Sequence, residues 1–369
     1  MRRIAPVLMI FAVTAGVARS QPTSTSSEYK PPKEVLGESL DAWIKKLNSS
    51  DPGIRETAIR LLPLFGPDAA KAIPRMVDMV MDPDVSVRLA AVFILSSNPI
   101  NDVKQLKEMF GYLNESYLFN AQTPLRTQAA LAIGRMGPEL VKNFSKEIAD
   151  KTIPRLLSEY QLRYPGSFEL RKAAAFALGR VGFNSDGSDP RAVKGLIQAL
   201  NDNSVDVRVT ATQSLILLGP PGNGQQLLVE KKLLHDRMIA EKGVQRIWLR
   251  VAFMRLDPKE ITENNLKVIG ESLDAKELTV RSAAAEALGF MGKAAASQAG
   301  RLRVGLQLAN SEKPEDLDFL AKCLWAIGQM GTDAAFLISE VTPLTQHKND
   351  QIKAFAKETL ELLQGKKKN

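Results

Sequence analysis

The sequence predicts an all-α protein, an α-α superhelix of about nine antiparallel helix pairs stacked in chain order. Three observations lead to this fold class. One motif recurs at intervals of 33 to 45 residues. Counted from the motif position that is usually arginine, the residue seven positions later is apolar in every copy, and the residue eleven positions later is glycine in most copies. A repeat of this length is typical of solenoids, in which each unit buries its apolar face against the next one.

Each copy of the motif is numbered from an anchor residue, which is arginine in seven of the nine copies. The clearest copy is LRKAAAFALGRVG at residues 170–182, with its anchor at Arg171. A position written +3 lies three residues after the anchor. The nine anchors are Arg55, Arg88, Arg126, Arg171, Arg208, Arg246, Arg281, Leu320 and Lys353.

Each motif predicts the second helix of a pair. Positions +3, +6, +7 and +10 fall on one face of an α-helix, and after Arg171 they hold Ala174, Ala177, Leu178 and Val181. Small residues in this stripe let another helix approach closely. Glycine at +11 tolerates the left-handed backbone with which many helices end. The predicted helix ends are Gly66, Gly137, Gly182, Gly219, Gly292 and Gly331.

An apolar-periodic stretch upstream of each motif predicts the first helix of the pair. In the stretch 73–80, Pro74 suits the first helical turn, and the polar turn 82–84 that comes next can cap the following helix. We expect the anchor arginines to bond the turn carboxylates and carbonyls of neighbouring repeats and so to stabilise the stack. The arginines expected to do so are Arg88, Arg171, Arg208 and Arg281.

Residues 200–208, LNDNSVDVR, followed by Ala211 and Gly219, resemble a HEAT repeat. They are also similar to the shorter HEAT-like repeats named after phycobilisome lyases. The resemblance covers about residues 38–364. The copy anchored at Arg246 departs from it, with Leu249 in place of alanine and Asp257 in place of glycine. The resemblance implies a solenoid whose concave face is the usual binding surface.

The N-terminal residues predict an exported protein. Arg2 and Arg3 precede an apolar run at 4–17 that is shorter than a membrane span, and small residues at Ala18 and Ser20 fit a cleavage site. The predicted organisation is a signal peptide at 1–20, a disordered linker at 21–37, the HEAT-like solenoid at 38–364 and a basic tail at 365–369. We expect a periplasmic or secreted location.

Charge argues against a nucleic-acid partner. The whole chain carries a formal net charge of +8. Residues 1–20 contain three arginines and no acidic residue, so the remaining 46 basic and 41 acidic residues leave a net charge of +5. That excess is mild, whereas nucleic-acid binding needs a concentrated basic stripe. No membrane span is predicted in the mature chain, and the oligomeric state is left open.

The sequence predicts no catalytic residue, no cofactor and no metal site. It contains neither a Gly-x-Ser-x-Gly nor a His-Glu-x-x-His motif, and its two histidines, His235 and His347, have no ligand partners at metal-binding spacing. Cys323, the only cysteine, occupies a +3 position. We therefore expect it to be a buried small residue without a reactive role.

Positions +5 and +9 lie away from the predicted helix contact, on the inner side of the second helices. Several of them hold aromatic, aliphatic or arginine residues, a combination that anchors protein partners. The alternative is that curvature of the stack buries +5 against the next repeat. The candidate partner-binding residues are Phe93, Leu131, Arg135, Phe176, Arg180, Val251, Arg255 and Trp325.

These observations favour an exported, non-catalytic HEAT-repeat scaffold that binds a protein or peptide partner on its concave face. The alternative enzymatic function comes from the resemblance alone, since a phycobilisome-lyase-like protein would attach or bind a chromophore. A third possibility is a passive structural spacer. Fold class does not separate these functions, because solenoids serve many of them.

Overall fold

The computed structural model describes residues 31–98, 100–120, 122–161, 167–184, 187–222 and 228–366. The chain divides into two compact units, one up to residue 227 and one from residue 228 onward. Each unit consists of α-helices paired in chain order, which confirms the all-α repeat fold. Among the described residues, no helix is both long and apolar enough to cross a bilayer.

The first unit contains five helix pairs and two short antiparallel hairpins in its described residues. Its α-helices and strands are β1 (Glu34–Val35), β2 (Glu38–Ser39), α1 (Leu40–Lys46), α2 (Pro52–Leu61), α3 (Ile73–Asp78), α4 (Val85–Ser97), α5 (Val103–Gly111), α6 (Thr123–Glu147), α7 (Ile153–Gln161), α8 (Phe168–Val181), β3 (Phe183–Asn184), β4 (Gly187–Ser188), α9 (Pro190–Ala199) and α10 (Val205–Leu218). Irregular helical turns at Leu62–Ala72, Met79–Met81, Tyr112–Tyr117 and Ile148–Thr152 complete the pairs.

The second unit contains four helix pairs in its described residues. Its α-helices are α11 (Leu228–Ala240), α12 (Gly243–Leu256), α13 (Glu263–Glu271), α14 (Leu278–Met291), α15 (Arg303–Leu306), α16 (Pro314–Met330), α17 (Ile338–Val341) and α18 (Asp350–Leu363). Tighter helical turns lie at Pro258–Glu260, Ser272–Asp274, Gly292–Leu302, Gly331–Leu337 and Thr342–Gln346.

The second helices of consecutive pairs pack against one another within each unit. In the first unit α6 contacts α4 and α8, and α8 contacts α10; in the second unit α14 contacts α12 and α16. Alanine at +3 permits this close packing, because its methyl group adds little bulk at the contact. These alanines are fully buried at Ala58, Ala91, Ala129, Ala174, Ala211 and Ala284.

Glycine at +11 ends several of these helices as predicted. Gly219, Gly292 and Gly331 have φ angles of 65°, 56° and 63°, in the left-handed region that other residues rarely adopt. The prediction is wrong for Gly137, which lies inside α6 and is buried. A Cβ atom at Gly137 would lie 2.8 Å from Cβ of Arg180, so this glycine allows the close approach of α8.

An arginine–aspartate ladder connects repeats in the first unit. Arg55 donates from Nε and Nη2 to both carboxylate oxygens of Asp82 at 2.8 and 2.7 Å, and Arg171 pairs in the same way with Asp202 at 2.5 and 2.9 Å. Each aspartate also accepts the backbone N–H two residues later, which fixes its turn. The aspartate therefore joins one repeat's helix to the next repeat's turn.

The predicted bonds to turn carbonyls are present for two other arginines, but they lie within one repeat and do not connect neighbouring repeats. Nη1 of Arg88 donates to the carbonyls of Asp82 and Pro83, and Nη1 of Arg208 donates to those of Asp202 and Asn203. Arg281 differs, since its guanidinium lies 5.3 Å from the ring centre of Phe319. Its buried Nε has no hydrogen-bond partner within the described part of the chain.

The first hairpin lies partly within the predicted linker. β1 pairs with β2, and the indole N–H of Trp43 donates to the carbonyl of Val35 at 3.0 Å. The expectation of disorder is therefore wrong for the end of the 21–37 linker, because these backbone bonds hold it against α1. The predicted signal peptide, residues 21–30 of the linker and residues 367–369 of the basic tail lie outside the described residues.

Candidate partner-binding face

Phe93 and Arg135 form the first pair of candidate residues, on neighbouring helices α4 and α6. Phe93 is 43% exposed although it is a large apolar side chain. The Arg135 guanidinium lies 4.9 Å from the Phe93 ring centre and donates to Ser96 Oγ at 3.2 Å. This cation–π contact holds the guanidinium against an exposed ring.

Phe176 and Arg180 form the second pair, one turn apart on α8, with 5.6 Å between the guanidinium carbon and the ring centre. Phe176 is half-buried because its ring lies across Gly134 of α6, where a Cβ atom would stand 2.4 Å from the ring. The structure thus places Phe176 between the two predicted alternatives of a free surface and a closed core.

The two pairs form one surface across α6, because the Phe176 ring lies against Gly134 and the adjacent Arg135 lies over the Phe93 ring. Leu131, one turn before Arg135 on the same helix, is half-buried. We call this surface the first-unit patch. Its members are Phe93, Leu131, Arg135, Phe176 and Arg180.

The arginines of the first-unit patch have no carboxylate partner within the part of the chain that the structure describes. Burial lowers the pKa values of both Arg135 and Arg180 from the ordinary arginine value. Both side chains are charged, because arginine is not deprotonated in proteins. The Nε atom of Arg180 is buried and has no hydrogen-bond acceptor among the described residues.

The prediction is wrong for Val251. Its side chain is fully buried in α12, where every residue from Ile247 to Met254 is buried. No face of α12 reaches solvent over this stretch, so position +5 cannot contact a partner there. The burial alternative is correct for this copy of the repeat.

The remaining candidates, Arg255 and Trp325, lie at different places in the second unit. Arg255 is half-buried and lies 5.7 Å from the ring centre of Phe290, at the +9 position of α14. Trp325 is half-buried on α16 across Gly289, where a Cβ atom would stand 2.3 Å from the indole. The structure repeats the glycine-and-aromatic contact of the first unit here, without an arginine over the indole.

An ionic cluster that the sequence did not predict lies about one turn before Trp325 on α16. Lys322 Nζ lies 3.1 Å from a carboxylate oxygen of Glu286 and 2.7 Å from one of Asp318. Burial raises the pKa of Glu286, although the neighbouring lysine opposes this shift. Glu286 occupies +5 of one repeat, and Lys322 occupies +2 of the next. Charged residues at these two positions of consecutive repeats were the sequence signal that could have predicted the cluster.

Two further arginine–phenylalanine pairs lie outside the positions that the repeat pattern singled out. Phe119 is 65% exposed beneath Arg155, and Phe336 is 55% exposed beneath Arg303. Neither phenylalanine lies in the second helix of a pair. The motif numbering therefore gives no signal for them.

Within the described ranges, no group of three or more histidine, cysteine, aspartate or glutamate residues could hold a metal ion. Cys323 is fully buried, and burial raises the pKa of its thiol. It packs where a Cβ atom at Gly305 would lie 2.4 Å from its sulfur. Cys323 is therefore a packing residue, as predicted from its +3 position.

Comparison with known proteins identifies a HEAT-like repeat in the last two helix pairs of the first unit. Residues 170–202 match the family model of the PBS lyase HEAT-like repeat, and the match confirms the HEAT-repeat resemblance. These residues run from α8 through the turn after α9. No curated protein matches the sequence.

Several solved structures are similar to this chain. An engineered protein shares 17% identity over 88% of this chain and 88% of its own, with a TM-score of 0.48. Importin beta shares 13% identity over 88% of this chain, with a TM-score of 0.48, and Kap121p shares 15% over 88%, with a TM-score of 0.43. The chain covers 46% of the importin beta chain and 37% of the Kap121p chain.

Proposed function

We propose that this protein is an exported, non-catalytic HEAT-repeat scaffold that binds an acidic peptide segment of a partner protein on the first-unit patch. One observation carries the proposal. Arg135 and Arg180 each lie over an aromatic ring, and neither contacts a carboxylate of the described chain. Phenylalanine and arginine are among the residue types enriched at protein–protein interfaces.

The chemistry of the patch defines the partner. A carboxylate that reached Arg180 would form a charge-assisted hydrogen bond with a desolvated guanidinium, and such bonds are stronger than neutral ones. The rings of Phe93 and Phe176 offer apolar surface on either side of Arg135. The partner segment therefore carries acidic side chains interleaved with apolar ones.

The spacing of the helices sets the length of the bound segment. Packed helices stand about 8 to 10 Å apart, so the three helices of the patch span about 16 to 20 Å. An extended chain covers about 3.3 Å per residue. A peptide of about five or six residues would reach from Phe93 to Arg180.

The test is a selection of random hexapeptides on the full-length protein at low and physiological salt. We expect the recovered peptides to be enriched in aspartate and glutamate with at least one aromatic or aliphatic residue. The same selection on a protein with Phe176→Ser and Arg180→Glu should lose this enrichment. Recovery of the same acidic peptides by both proteins would reject the patch as the binding site.

Export is a separate part of the proposal, supported by the basic and apolar residues of the first 20 positions. We expect the natural protein to begin at or near Gln21. N-terminal sequencing of the protein from its native cells tests this point. A product that retains Met1 would contradict export by a cleaved signal peptide.

Chromophore attachment is the alternative function, and the description of the matched family model is its support. A bilin-binding protein would change the visible absorption of added bilin and protect it from bleaching. We expect no such change, since the proposed site binds acidic peptide. A stoichiometric absorption change would favour the lyase-like function over the peptide-binding scaffold.

A further inference from the structure

The second unit contains a cavity of about 140 Å³ where α12 and α13 meet the start of α14. Two arginines of α12, Arg246 and Arg250, line it together with Ser272 and Val280. Water occupies about 30 Å³ per molecule in the liquid, so the cavity has room for a phosphate-sized ion. All its lining residues belong to the second unit, so a ligand bound there does not depend on the peptide partner.

Arg250 is a buried charge at a position that is apolar in most other repeats. It lies at +4 and is only 7% exposed. The corresponding residues that are fully buried are Ile59, Val92, Ala130, Ala175, Ala285 and Leu324. Because an arginine does not lose its charge in a protein, a buried guanidinium needs an anionic or polar partner.

The protein supplies only part of that partnership. Arg250 donates from Nη1 to the amide oxygen of Asn265, whose own amide donates to the carbonyl of Glu260 at 2.8 Å. No described carboxylate pairs with Arg250. Burial lowers the pKa of Arg250, and the like charge of Arg246 lowers it further. Asn265 therefore orients the guanidinium without neutralising it.

Among the described residues, Arg246 has no carboxylate partner of the kind that Arg55 and Arg171 have. Those two anchors pair with Asp82 and Asp202, each of which lies six residues before the next anchor, and the other anchors have no aspartate at that position. Six residues before Arg281, the next anchor after Arg246, stands Ala275. The neighbouring Asp274 does not replace the aspartate, since its carboxylate lies 3.1 Å from Arg301.

We infer that this cavity is a binding site for a small oxyanion, a phosphate, sulfate or carboxylate group, which binds between Arg246 and Arg250 where a ladder aspartate would otherwise stand. The start of α12 adds to the attraction. Gly243, the first residue of this 14-residue helix, lines the cavity, and Lys242 provides no side-chain cap. The positive end of a helix dipole favours an anion beside it.

The substitution Ala275→Asp is a direct test, because it supplies the carboxylate from within the chain. Calorimetric titration of the full-length protein with inorganic phosphate, at constant ionic strength and with chloride as reference, should show one saturable site. We expect Ala275→Asp to weaken this binding at least tenfold and to raise the melting temperature in phosphate-free buffer. Arg250→Met should also weaken binding at least tenfold while the protein stays folded.

Arg60→Met is the matched control, since Arg60 is an exposed arginine of the first unit that pairs with Glu56. It should leave phosphate binding unchanged. Absence of saturable binding to phosphate, sulfate and acetate alike would overturn the inference. Equal phosphate affinity in the natural protein, Ala275→Asp and Arg250→Met would also overturn it, because the ion would then bind elsewhere.

The source of the oxyanion is resolved by a parallel titration with glycerol 2-phosphate. Binding comparable to that of inorganic phosphate would show that the site accepts phosphate esters, and at least tenfold weaker binding would assign it to free ions. Either result is consistent with the site, provided that Ala275→Asp weakens the observed binding at least tenfold. Ester binding that persists in Ala275→Asp would contradict the assignment to this cavity.

Discussion

Helices α8 and α12 occupy equivalent places in their repeats, yet position +5 has opposite environments in the two. Phe176 on α8 is half-buried and lies across Gly134, whereas Val251 on α12 is fully buried. Every side chain around Val251 is buried, while α8 leaves Arg180 partly exposed beside its ring. The repeat motif fixes which residues join consecutive helices, and the surroundings of each helix decide whether +5 is surface.

The anchors of the two helices differ in the same way. Arg171 on α8 pairs with both carboxylate oxygens of Asp202, and Ala275 stands where the corresponding partner of Arg246 would be. The second unit instead buries an additional arginine, Arg250, at this junction. This junction without a ladder carboxylate contains a cavity lined by two arginines.

The largest expected effect is on the intact ladder. Asp82→Ala leaves Arg55 as an unpaired buried charge, and removing one member of a buried pair costs about 3 to 5 kcal/mol. Urea unfolding followed by circular dichroism measures this loss. The control is Asp206→Ala, whose carboxylate is 61% exposed and should contribute less than about 0.5 kcal/mol. Equal stability of the two variants would show that the ladder is not a major stabilising element.

Val251→Ser should cost about 3 kcal/mol, because it removes buried methyl groups and places a hydroxyl in an apolar site. The melting temperature of the second unit should fall accordingly, by about 2 to 4 °C for each kcal/mol. A melting temperature within about 1 °C of the natural protein, a difference of roughly 0.5 kcal/mol or less, would mean that Val251 is at the surface.

Phe176→Ser should have a smaller effect on stability than Val251→Ser. Complete burial of a phenylalanine would make truncation cost about 3 to 5 kcal/mol, and exposure would make it nearly neutral. The half-buried ring predicts a value between these limits, about 1 to 2 kcal/mol. Thermal unfolding of both serine variants under the same conditions measures the difference. A larger loss for Phe176→Ser would reverse the comparison of α8 with α12.

The pH dependence of stability should be smaller still, and the ladder aspartates of the first unit should contribute to it. Burial alone would raise the pKa of Asp82, but the bonds from Arg55 and the backbone lower it below its ordinary value; Asp202 behaves likewise beside Arg171. A lowered folded-state pKa contributes stability above the unfolded value of about 3.9, which is lost as the pH falls through the folded value. Asp82→Asn should flatten the acid side of the stability curve. An unchanged acid profile would exclude Asp82 as its source.

The fold was predictable from sequence because the helix contacts recur with the motif. Alanine at +3 and glycine at +11 specify close packing and helix ends in most copies, as Ala174 and Gly219 show. Gly137 has the same sequence signal, yet its role is set by the helix that crosses it. No single-repeat pattern contains that information, since it depends on Arg180 of the next repeat.

The candidate site was predictable only in part for the same reason. The pairing of arginine with an aromatic residue was visible in the motif, whereas the burial of Val251 depends on side chains from several helices. The cavity had one signal that comparison of repeats reveals, the arginine at +4 in Arg250. It lies at a junction where Ala275 stands at the position that holds aspartate in the two ladder junctions.

Charge exchange across the first-unit patch is the most direct test of peptide binding. An acidic hexapeptide selected on the natural protein should bind at least tenfold more weakly to a protein with Arg135→Glu and Arg180→Glu. The same peptide with lysine in place of its acidic residues should bind that variant and not the natural protein. Fluorescence anisotropy gives both affinities, and thermal unfolding confirms that both proteins are folded. Equal affinity of the acidic peptide for the two folded proteins would contradict the proposal that the patch binds the partner.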